Sequence, residues 1–145
     1  MEKIYSLMLA DDDEDDRMFF REALEETHKA TLITAKDGVE LLYILQSLEH
    51  LPDAIFLDLN MPCMDGHECL KQIKRDKKFG HIPIVIYSTS KSPVHIDRTY
   101  LDGASLYITK PQTYPKLRKM MKDVFTLECD LYKPQPPKEK YVLAF

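Results

Sequence analysis

Five side chains with chemical potential stand where apolar runs stop in this 145-residue chain. "LMLADD" ends on Asp11 and Asp12, "AIFLD" on Asp58, "IPIVIYS" on Ser88 and "LYITK" on Lys110. Held around one point, three carboxylates repel one another and resist ionisation unless a cation compensates them. Hard oxygen ligands at a partly open site suit Mg²⁺, which keeps several waters and leaves positions for phosphoryl oxygens. With such a metal and Lys110 neutralising phosphoryl charge, one carboxylate can attack phosphorus and form an acyl phosphate. Asp58 is the best nucleophile of the three because it stands alone at its strand end, and Ser88 would donate a hydrogen bond to the new phosphoryl group.

That chemistry requires all the runs to end at one edge of one sheet. The pattern provides for it. Segments 4–10, 31–35, 54–58, 82–88 and 106–110 are apolar or β-branched and of strand length. Between them lie helical spacings: Phe19, Phe20, Ala23, Leu24 and Thr27; then Val39, Leu41, Leu42, Leu45 and Leu48; then Cys69, Leu70 and Ile73. "PVHIDRTYL" predicts a short helix ended by Gly103, and Leu117, Met120, Met121, Val124 and Phe125 a long last one. Five strand–helix pairs with short connections predict an α/β fold, a parallel sheet with helices on both faces. In such a sheet the carboxyl ends of the strands share one edge, and ligands bind in the crevice outside it.

Four segments, "LADDDEDD" (9–16), "FLDLNMPCMDG" (56–66), "IPIVIYSTS" (82–90) and "GASLYITKP" (103–111), resemble the bacterial response-regulator receiver domain, from about Lys3 to Leu127. The resemblance implies a flavodoxin-like doubly wound sheet of five strands in the order 2-1-3-4-5. It implies Asp58 as phospho-acceptor, Asp11 and Asp12 as the acidic pair holding Mg²⁺, and Asn60 as a metal ligand through its backbone carbonyl. Ser88 matches the switch hydroxyl, Tyr107 the switch aromatic and Lys110 the phosphoryl-pairing lysine, with a cis peptide expected at Lys110–Pro111. Thr89 stands where the family often has alanine. The function implied is that of a single-domain response regulator, not an enzyme. It would take a phosphoryl group from a sensor histidine kinase or phosphotransfer protein and signal to a downstream protein through a changed binding surface. "LDLNMP" with "STS" is similar to the stand-alone subgroup that includes phytochrome-associated regulators. Homodimerisation through the fourth helix, fifth strand and fifth helix, as in many relatives, is left open. The alternative is a small phosphatase or phosphotransferase with an aspartyl-phosphate intermediate. That chemistry normally wants a second acid two residues past the nucleophile, where this chain has Asn60.

Simpler readings stand beside these. Asp13 to Asp16 suit the solvated first turn of a helix, where acids favour the dipole. Asp11, Asp13, Asp15 and Glu22 fit a calcium loop by spacing, but Asp16 occupies its glycine position. Tyr107 in a strand could be core packing alone, and the five histidines show no ligand spacing.

Composition bounds the rest. Removing the six consecutive acids 11–16 from the 24 acidic residues leaves 18 against 20 basic ones, so the acidity is local and no broad basic surface points to nucleic acid. No apolar run approaches the roughly 18 residues of a membrane span. The N-terminal "MEKIYSLMLA" is too short for a signal peptide. Cys63, Cys69 and Cys129 match neither a disulfide framework nor a zinc motif, which fits reduced thiols in a cytoplasmic protein. The receiver domain is expected over 1–132, followed by a Pro-rich C-terminal extension, 133–145, with an apolar end. "KPQPPKEK" should run as an extended strap, and "YVLAF" is either a solvated end or docks on the domain or a partner.

Overall fold

The structure is a computed structural model that describes residues 4–126 and 135–145. Strands and helices alternate: β1 (Tyr5–Ala10), α1 (Glu14–Thr27), β2 (Ala30–Ala35), α2 (Gly38–Ser47), β3 (Ala54–Leu57) and α3 (Gly66–Arg75). They continue as β4 (Ile84–Ser88), α4 (Pro93–Leu101), β5 (Leu106–Thr109), α5 (Tyr114–Thr126), a 3₁₀ turn (Lys138–Lys140) and β6 (Val142–Leu143). All neighbouring strands pair in parallel, in the order β2-β1-β3-β4-β5-β6. The first five follow the predicted order. The sixth corrects the predicted count of five, because two residues beyond the last proline add to the free edge of β5.

Strand alternation divides the core in two. Met8, Ala10, Ile55, Leu57, Ile84, Ile86 and Tyr107 point to the face covered by α2, α3 and α4. Leu7, Leu9, Phe56, Val85, Tyr87 and Ile108 point to the face covered by α1 and α5. Strands buried on both sides have no polar face, which is why these runs read as continuously apolar. Helices α1, α2 and α3 start on side-chain caps that satisfy free amides. Asp13 accepts from the Asp16 amide, Asp37 from that of Glu40 and Asp65 from that of Glu68. Gly66, first in α3, lies so close to the end of β3 that a Cβ there would come 2.1 Å from the Asp58 carbonyl oxygen. Only glycine permits that approach.

The C-terminal segment departs from an extended strap. Lys133 and Pro134 lie outside the described residues, and beyond Pro137 the chain turns, with Lys140 N–H donating to the Pro137 carbonyl and Tyr141 N–H to that of Lys138. Residues past the last proline have amide donors again, so a turn can close. Tyr141 is then wholly buried. Among the described residues, no helix is long and apolar enough to cross a membrane.

Candidate functional site

The carboxyl edge of the sheet brings the predicted residues together because the strand register makes their ends coincide. Asp11 N–H continues the ladder to the Ala35 carbonyl, Asp58 N–H to that of Ala10 and Lys110 N–H to that of Ser88. The three chain segments therefore leave the sheet side by side. Lys110 Nζ lies 2.7 Å from Asp11 Oδ2, 2.9 Å from Asp16 Oδ2 and 3.1 Å from Asp58 Oδ2. Carboxylate oxygens of Asp11, Asp12 and Asp58 fall within 4.8 Å of one another. Asp11 and Asp58 are buried and Asp12 is exposed, so the cluster opens to solvent on one side.

The electrostatics follow from burial. Asp11 is fully buried, and desolvation pushes its carboxyl up to about 6 against the opposing pull of Lys110, with Asp58 adding repulsion. Burial also works against the Lys110 charge, but Asp11, Asp58 and Asp16 outweigh it and hold the ammonium above its usual range. The Tyr87 ring, 5.5 Å from Nζ, gives that cation an aromatic face. Beside it opens a groove of about 330 Å³ whose lining includes Asp16, Phe19, Tyr87, Pro111 and Tyr114.

Ser88 is fully buried, and its Oγ accepts from the Ser90 amide at 3.1 Å. Tyr107, also fully buried, points inward and donates its hydroxyl to the Ser90 carbonyl at 2.7 Å. Ser90 thus joins the two residues expected to switch. Asn60 N–H reaches Asp58 Oδ1 at 3.4 Å, while Thr89 is exposed. The expected cis bond is absent: among the described residues every peptide is trans, Lys110–Pro111 included. The trans isomer of an X–Pro bond is favoured by roughly 0.5–1 kcal/mol, and Lys110 reaches all three carboxylates from it.

Sequence reasoning missed two participants. The sequence places Asp16 in a solvated helix turn, yet it is half-buried and paired with Lys110. Its position four residues past Asp12, on the first turn of the helix leaving the sheet edge, was the available signal. Ser90 lies two residues past Ser88, in the loop, and nothing in its type marked it. His67 is buried beside His95, with ring centroids 5.2 Å apart, and burial together with Arg98 and His95 holds it below the usual imidazole range.

Residues 7–122 match the family described as the response regulator receiver domain. The chain belongs to that family. It is 31% identical over 126 residues to the sensor histidine kinase CheAY of Helicobacter pylori, spanning 87% of this chain and 16% of that protein. It is 30% identical over 117 residues to the polar-differentiation response regulator DivK of Brucella ovis, spanning 81% of this chain and 93% of DivK. The fold resembles the phosphorylated cyanobacterial phytochrome response regulator RcpA, with a TM-score of 0.82, 29% identity, and coverage of 92% of this chain and all of that one. The chain is thus a receiver domain of two-component signalling, a family of which phosphorylation is characteristic. The acidic triad is chemically suited to the divalent metal that receiver domains bind, since it concentrates carboxylate oxygens that repel one another without a cation.

Proposed function

We propose that this receiver accepts a phosphoryl group on Asp58 and signals by a phosphorylation-dependent change of its binding surface. The observation that carries the reading is the convergence of Lys110 on Asp58 and Asp11, beside Asp12, at one open edge of the sheet. An Asp58 carboxylate oxygen attacks phosphorus while the bond from phosphorus to the donor's nitrogen or oxygen breaks. The donor leaves with the electron pair, and Asp58 becomes an acyl phosphate. Lys110 is already fixed by carboxylates, so it can exchange one of them for a phosphoryl oxygen with little reorganisation. Asp11, Asp12, Asp58 and the Asn60 backbone carbonyl would hold Mg²⁺. Bound there, the metal would offset the charge of the carboxylates and of the incoming phosphoryl oxygens.

Ser88 then turns from the Ser90 amide to the phosphoryl group, and Tyr107 is held inward, which makes the change a population shift between two arrangements of one loop. The donor is a sensor histidine kinase or phosphotransfer protein in the cytoplasm, and the output is binding to a downstream protein or to a second copy. On this reading the chain is a phospho-acceptor rather than an enzyme, with a receiver over 1–132 and an extension over 133–145. The test is incubation with a small phosphodonor and Mg²⁺. One acid-stable, base-labile phosphoryl group is expected, absent without the metal and absent in Asp58→Asn. Phosphate on a serine or histidine would refute the reading.

A further inference from the structure

The C-terminal segment touches the interior at the residue expected to switch. Tyr141 is fully buried, its ring centroid 6.2 Å from that of Tyr107 and 5.0 Å from that of Tyr100, both edge-on. Its hydroxyl pairs with Thr99 Oγ1 on α4 at 2.7 Å, and its carbonyl accepts the Tyr107 amide at 3.0 Å. Gln135 donates to the Tyr100 and Ala104 carbonyls at 2.7 and 2.6 Å, and the Tyr100 hydroxyl donates to the Pro136 carbonyl at 2.8 Å. Lys138 forms an ion pair with Asp97. Tail residues 135–141 thus bind α4 and the outer edge of β5 at once.

These contacts bear on which way Tyr107 can point. Its inward rotamer is held by the Ser90 carbonyl at the hydroxyl end, and the Tyr141 ring packs edge-on against it from the tail side. The contacts run without a break from Ser88 through Ser90 and Tyr107 to Tyr141 and then α4. We infer that residues 135–145 are an intramolecular ligand of the α4–β5 face, bound best when Tyr107 is inward, so that tail docking and phosphorylation of Asp58 reinforce each other. This rests on the proposed phospho-acceptor role of Asp58. Coupling of this kind is reciprocal: whatever factor phosphorylation contributes to docking, docking contributes to phosphorylation.

The test uses the full chain, its Tyr141→Ala and Tyr141→Phe variants, and Asp58→Asn as labelling control. The Tyr107 amide, whose acceptor is the Tyr141 carbonyl, reports docking by hydrogen exchange. Labelling with acetyl phosphate and Mg²⁺ should slow that exchange about five-fold or more. Tyr141→Ala should lower the steady-state labelled fraction in the same sense, while Tyr141→Phe, which keeps the ring, stays near the parent. Normal labelling at Asp58 with unchanged Tyr107 exchange overturns the coupling alone, as does parental labelling of a folded Tyr141→Ala. No label at Asp58 in the parent chain overturns the site reading and the coupling with it. If Tyr141→Ala does not fold, Tyr107 exchange in the labelled against the unlabelled parent still decides.

Discussion

Strand β5 meets charge at its carboxyl end and mostly neutral groups along its outer edge. At the end, Lys110 gathers three carboxylates in a largely buried place, where each charge is tolerated because the others are there. Along the edge, Tyr141 is held by ring packing, a hydroxyl pair and one backbone hydrogen bond from β5, and the Lys138–Asp97 pair lies exposed at the rim. The first region is chemically tense and sensitive to protons and cations. The second is relaxed and should respond chiefly to loss of volume. A signalling protein needs both: one place whose charge balance can be changed, and one surface stable enough to report it.

The sharpest way to break this contrast is at Lys110. Replacing it with alanine removes the only cation paired with Asp11 and Asp58 among the described residues. Phosphorylation from a small donor should slow on the order of 100-fold, measured as the initial rate of label incorporation. A rate within two- or three-fold of the parent would remove Lys110 from the chemistry. At the neutral edge, Tyr141→Ala should destabilise the protein by about 3 kcal/mol, the usual scale for deleting a buried aromatic ring. Denaturant unfolding measures it, and the loss should be insensitive to Mg²⁺ and to pH between 5 and 7.

Asp11 gives a smaller effect of opposite sign. Its folded carboxyl titrates near 6 rather than 3.8, so between those values the folded state holds a proton that the unfolded state has released. Its contribution to the stability of the metal-free protein therefore falls as pH rises through that window. Asp11→Asn should flatten this slope and raise the melting temperature at pH 7 without metal, while abolishing the rise expected of the parent on adding Mg²⁺. Thermal melts at several pH values with and without Mg²⁺ decide it. A lower metal-free melting temperature would mean that the Lys110 pair outweighs the desolvation of Asp11. Smallest of all is Lys138→Ala, expected within about 0.5 kcal/mol of the parent because its ion pair is half exposed.

The contrast also explains what could be read in the sequence. Asp11, Asp12, Asp58, Ser88 and Lys110 were legible because parallel strands must end at one edge, so residues that close apolar runs are neighbours whatever else the fold does. Asp16 was not, because its approach to Lys110 depends on how α1 rotates as it leaves β1. A run of six acids gives no hint which one turns inward. The apolar end suggested that "YVLAF" could dock, but not where. Parallel pairing to β5, more than 30 residues earlier in the chain, is a long-range choice without a local signature. The trans Lys110–Pro111 bond departs from what the resemblance implied and could not have been read from the residues themselves.

The sixth strand is only two residues long, and a 3₁₀ turn carrying Lys138 and Lys140 leads into it. A sheet whose last strand is long, flat and unpaired offers other chains a template, and such templates seed aggregation. Here the template is replaced by a stub too short to hold a register, with cations just before it. Deleting the last five residues would strip the Tyr107 amide of its acceptor and uncover the four-residue edge of β5. The same few residues that lie against Tyr107 would then also set how safely the protein can be concentrated.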